Sequence, residues 1–96
     1  MNLIDAVIKN DIEKVKDFLD KGADPNMCED EADITPLHFA AQRNVSLEIV
    51  LLLLKAGADI HKETEEGLTP LDVAKFHKNE NIVELLAEVK SSHSNK

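Results

Sequence analysis

Thr35-Pro36-Leu37-His38-Phe39-Ala40 returns 34 residues later as Thr69-Pro70-Leu71-Asp72-Val73-Ala74, and Gly22-Ala23-Asp24 returns after 35 as Gly57-Ala58-Asp59. Self-similarity at a fixed period of roughly 20–50 residues marks a stacked-repeat architecture, in which each unit touches mainly its neighbours. Both fragments carry local physics. Threonine caps a helix start by accepting an orphaned backbone N–H, and proline suits the first helical position, where its missing N–H had no partner. Glycine suits the left-handed residue that ends a helix, and aspartate favours the turn that follows. The first fragment therefore opens a helix and the second closes one, twice over.

Thr-Pro-Leu-His-x-Ala at a period of about 33 residues resembles the signature of the ankyrin-repeat family. The likeness covers about Leu3 to Val89, with helix start, helix end and apolar spacing in one register. It implies an all-α ankyrin-repeat solenoid: three stacked helix-turn-helix repeats with hairpin-like finger loops between them. The expected organisation is one domain over residues 1–89, with repeats at about 1–33, 34–68 and 69–89, followed by a disordered polar tail at 90–96.

The residues support this reading repeat by repeat. Ile12, Val15, Phe18 and Leu19 recur at helical spacing between Glu13, Lys14, Lys16 and Asp17. Met1-Asn2-Leu3-Ile4 stands where the other repeats have the hexad, which fits an N-terminal capping repeat with no preceding neighbour. In the third repeat Asp72 replaces the family's histidine, and Glu84 and Glu88 keep an outer face polar, as a C-terminal capping repeat requires. Leu51 falls in the register of Lys16 and Glu84 and is expected to be exposed. Arg43-Asn44-Val45-Ser46 is one residue longer than the family's usual turn, so a bulge is expected there. The first finger runs 13 residues from Gly22 to Thr35, the second 12 from Gly57 to Thr69, and Asp33 stands in the place of Gly67. That position favours positive φ, so distortion of the first finger is expected at Asp33. The end repeats should open before the middle one.

Composition narrows the function. Ninety-six residues suffice for one small domain, whose core Leu, Ile, Val and Ala must build, since Phe supplies all three aromatics. Net charge is −8, with no Lys/Arg stripe to hold phosphates, so neither nucleic acid nor an anionic membrane is an expected ligand. The single Cys28 excludes an internal disulfide. Met1-Asn2-Leu3-Ile4-Asp5 does not read as a signal peptide, and the run Ile49–Leu54 is far too short to span a bilayer. The expected location is the cytoplasm, whether the source cell's own or that of a host into which the chain is delivered. Asn44-Val45-Ser46 fits a glycosylation sequon, which has no meaning for a cytosolic chain.

Catalytic patterns are missing. The sequence holds no glycine-rich phosphate loop, HExxH or GxSxG. Cys28 lies among acidic neighbours that disfavour a thiolate. His61 and Glu65 are four apart on an expected finger rather than a helix, which gives no metal pair. The resemblance makes His38 a structural hydrogen-bonding group between repeats. No catalytic residue, metal or cofactor is expected.

What the stack presents is a surface. In the family the fingers and the exposed side of the first helices form a concave groove that binds other proteins. Carried over by register, Ile8, Gln42 and Phe76 share one helix position and Lys9, Arg43 and His77 the next, while the fingers add Glu29, Glu31, Glu63 and Glu65. Phe76 and Arg43 are the expected contact anchors, because exposed aromatics and arginine dominate interface energetics. The competing reading of Phe76 is that it covers the open end of the last repeat. The expected function is a non-catalytic protein–protein interaction module that acts as a monomer on a protein or peptide with a basic surface. The alternative is a small regulatory protein or effector that inhibits or occludes an enzyme or host pathway, and a purely structural, self-assembling stack is a third class.

Overall fold

Three N-terminal caps set the architecture. Thr35 and Thr69 each accept the backbone N–H three residues on, from His38 and Asp72, whose side chains in turn engage the threonine N–H. The first repeat achieves the same box with other residues: the Asn2 side chain accepts from Asp5 N–H at 3.0 Å, and the Asp5 carboxylate accepts from Asn2 N–H at 3.2 Å. The loss of Thr-Pro there thus costs the helix one residue at its start and no cap.

The computed structural model describes residues 1–28 and 32–94, and six helices lie among them with no strand. These are α1 (Leu3–Ile8), α2 (Ile12–Asp20), α3 (Pro36–Arg43), α4 (Leu47–Lys55), α5 (Pro70–Phe76) and α6 (Glu80–Ser94). Helices α1, α3 and α5 pack side by side in one layer, α2, α4 and α6 in a second, and each pair is closed by a short turn. The core is the seam between the layers, and the middle repeat is its densest part. Leu37, Ala40, Ala41, Ile49, Val50 and Leu53 have no exposed surface. In the outer repeats some of the same register positions are charged and exposed, as Lys14 is for Ile49 and Lys75 for Ala41. Leu51 is exposed on the outer side of α4.

Helix ends follow the glycines. Gly22 and Gly57 sit at φ +94 and +104. Their N–H groups, and those of Ala23 and Ala58, return to the last-turn carbonyls of α2 and α4, which is the Schellman geometry. The third repeat has Lys90 at this register position, so nothing stops the chain there. Helix α6 continues through Ser94, where a disordered tail from residue 90 is the sequence expectation.

The turn between paired helices keeps one conformation in all repeats. Asn10, Asn44 and Lys78, each 34 residues apart, lie at φ +57, +54 and +59, and the next residue's N–H bonds back to Ala6, Ala40 or Ala74 O. The expected bulge at 43–46 is therefore confined to Ser46, whose hydroxyl accepts from Glu48 N–H and caps α4. Asp33 likewise takes φ +60 in the place of Gly67 at +83, so the first finger holds the backbone turn with an aspartate and is not distorted at that residue.

Repeats are joined by side chains bonding to the neighbouring backbone. Asn26 Nδ2 donates to Gly57 O at 3.1 Å, and its Oδ1 accepts from Asp59 N–H at 2.7 Å. Asn10 Oδ1 accepts from Ser46 N–H at 2.9 Å, and Asn79 Nδ2 donates to Ala41 O.

Lysine carries a left-handed penalty that asparagine largely escapes. Lys78→Asn should therefore raise stability by about 0.5 kcal/mol, which is ~2–4 °C in a chain of this size. A thermal melt that showed an unchanged or lower midpoint would contradict the assignment of strain to this turn.

Candidate functional site

The site is built on the one buried ionisable side chain of the described core, His38, which is 1% exposed. Its Nε2 lies 2.8 Å from Leu68 O, and because a carbonyl only accepts, Nε2 carries the proton. Nδ1 is then a bare acceptor, 3.1 Å from Thr35 N and 2.7 Å from Thr35 Oγ1. One imidazole thus caps its own helix and pins the base of the next finger. Burial pushes its pKa below the ordinary 6.5, against the upward pull of hydrogen bonds with the Leu68 and Lys62 backbone, and the charge of Lys62 lowers it further.

The finger that His38 holds is itself closed. Thr64 N–H donates to Leu68 O at 2.9 Å and Gly67 N–H to Thr64 O at 2.8 Å. The Thr64 hydroxyl accepts from Glu66 and Leu68 N–H at 3.2 and 3.3 Å. Glu65 N–H donates to Ala32 O at 2.7 Å, which ties this finger to the first.

Between the fingers and the first-helix layer lies a half-open groove of about 860 Å³. Gln42, Glu65, Phe76 and His77 of the sequence-derived set line it together. Arg43, Glu63 and Lys9 are exposed and Ile8 is half-buried, and none of these four lines the groove. Glu29 and Glu31 lie outside the described residues. Phe76 is 80% exposed, so its ring does not cover the end of the stack. The His77 ring sits edge-on to it at 5.1 Å and 86°.

The sequence reading missed Ile34, Leu68 and Val73, the apolar lining. A signal was present: Ile34 and Leu68 each precede a Thr-Pro pair, and Val73 stands one turn before Phe76. Glu66, Asp72 and Lys75 complete the charged lining. Among the described residues no group of His, Cys, Asp or Glu could hold a metal ion, and no helix is long and apolar enough to cross a membrane.

Residues 3–96 match the family described as ankyrin repeats in three copies. The chain belongs to the ankyrin-repeat family. It is 48% identical to the mouse 2-5A-dependent ribonuclease over 73 residues, which are 76% of this chain and 10% of that protein. It is 35% identical to the human SH3 and multiple ankyrin repeat domains protein 2 over 81 residues, 84% of this chain and 4% of that one. The Arabidopsis thaliana potassium channel GORK shares 36% identity over 92 residues, 96% of this chain and 11% of the channel. The ankyrin-repeat chain thus spans between 4% and 11% of the length of these relatives, so their ribonuclease and channel activities are not carried over by the likeness. The ankyrin repeat is a non-catalytic fold that mediates protein–protein interaction.

The buried imidazole gives a pH test. Its folded pKa lies below the unfolded value, so the unfolded chain binds the extra proton first as pH falls. The contribution is complete above pH 6.5 and is lost as pH drops through the folded pKa. His38→Gln, which does not titrate, should be less stable than wild type at neutral pH, and the gap should narrow as pH falls below 6.5. Denaturation curves that stay parallel across this range would contradict the neutral, buried imidazole.

Proposed function

We propose that the chain is a non-catalytic binding module which takes a partner protein in the groove between its fingers and first helices. The observation that carries this is Phe76, a large apolar ring 80% exposed on the wall of a preformed cavity. A soluble domain gains nothing in its own stability from such a ring, whereas a partner that covers it gains a contact of the type that dominates interface energetics. Gln42 and His77, read by register, line the same groove together with Glu65 and Glu66. Lys9 and Arg43 are exposed at the register position of His77, and Ile8 is half-buried at that of Phe76. The net charge of −8 favours a partner with a basic surface, approached as a monomer in the cytoplasm, with association weakening as salt rises.

The experiment compares wild type with a Gln42→Ala, Phe76→Ala double variant as baits in a native lysate. Both substituted residues are exposed, so the variant should melt within about 2 °C of wild type. Proteins held by wild type and lost by the folded variant are the expected result. Capture of the same proteins by both would move the binding surface away from the groove.

A further inference from the structure

The groove has two chemically different walls, and their adjacency narrows what fits between them. The wall made by α5 and the residues beside it carries an apolar patch, with Leu68 at 38% exposure, Val73 and Phe76, next to Lys75 and His77. The finger wall carries Glu65 and Glu66. Both are exposed, and neither forms an ion pair among the described residues, whose salt bridge is Lys21–Asp17, far along the chain. Their backbone is fixed, because Glu65 N–H is bonded to Ala32 O and Glu66 N–H to the Thr64 hydroxyl. The lining holds three carboxylates, Glu65, Glu66 and Asp72, against one lysine, Lys75, so the groove keeps a net negative charge.

We infer that the occupant of this groove is an extended peptide segment of a partner protein in which a Lys or Arg stands within a few residues of a bulky aliphatic or aromatic side chain. This rests on the groove reading above and specifies its ligand. The apolar residue covers Leu68, Val73 and the open face of Phe76, while the cation reaches Glu65 and Glu66 across the groove. An apolar wall alone would take any hydrophobic segment, and exposed carboxylates alone are a solvated surface. A single groove that presents both excludes acidic segments by repulsion and purely polar ones by lack of burial. A lysine or arginine stem lying along Phe76 adds cation–π attraction. The net charge of −8 steers the same basic segment towards the chain at long range.

The probe is a phage-displayed library of random dodecapeptides panned on the whole chain at low salt. Enriched sequences should place Lys or Arg within about three residues of Leu, Ile or Phe, the reach of one groove. A synthetic peptide of the enriched consensus should lose about tenfold in affinity against a folded Glu65→Lys, Glu66→Lys variant, and as much against Phe76→Ala. Enriched peptides that are acidic or uncharged, yet are lost with Phe76→Ala, would overturn the inference and leave the groove reading standing. Basic peptides bound equally by all variants, or no enrichment over an empty surface, would overturn both.

Discussion

The bond from His38 Nε2 to Leu68 O is the contact on which the rest of the structure depends. It lets one side chain close the N-terminus of α3 and set the position of the following finger, so the order within one repeat becomes the geometry of the next. Asn26 performs the matching task at the preceding boundary, bonding Gly57 O and Asp59 N–H. Asn26 reaches into the next repeat's backbone and His38 reaches to Leu68, the residue just before the third repeat, and no buried side-chain N or O among the described residues is left without a partner. Such bonds are directional where apolar packing is not. Packing drives the two helical layers together, and these bonds fix how one repeat is rotated on the next.

Asp72 shows what the imidazole adds. It completes the capping box with Thr69, at 3.1 and 3.2 Å, as well as His38 does with Thr35. A carboxylate has no proton to donate to a carbonyl at neutral pH, so the long-reaching half of the device is lost at that position. The third repeat is accordingly held to the second by Asn79 on Ala41 O and by Ile82 and Leu86 in the common core, with His38 fixing the Leu68 carbonyl just before it.

Much of this was legible in the sequence because the deciding signals are local. Thr-Pro and Gly-Ala-Asp state where helices begin and end, and the apolar spacing states which side is buried. The readings that differed depend on what a position lacks. Lys90 gives no local sign that α6 will run on, since only comparison with Gly22 and Gly57 shows that the stop is missing. The Asn2–Asp5 box went unread because it begins one residue later than its counterparts. The bulge expected around Asn44 came from counting residues, whereas the left-handed turn absorbs none of the extra length and passes it to Ser46.

The groove was legible only in part for a related reason. Register picks out residues that share a helix position, and Gln42, Phe76 and His77 line one groove. Ile8, Lys9 and Arg43 share those register positions but do not line this groove, because equal register does not ensure that three positions share one cavity. Ile34 and Leu68 lie just before their helices, outside the positions that periodicity ranks. Whether Phe76 faced solvent or covered the stack was a question of tertiary geometry, which the spacing of residues does not contain.

The measurement that tests this account most directly is native-state amide hydrogen exchange across the helices. If the middle repeat, joined on both sides, holds the stack together, the amides of Ile49, Val50 and Leu53 should exchange slowest, through complete unfolding, with α1, α2 and α6 opening first. Uniform exchange in all helices, or slowest exchange in α6, would show that the repeat-to-repeat bonds do not set the order of stability.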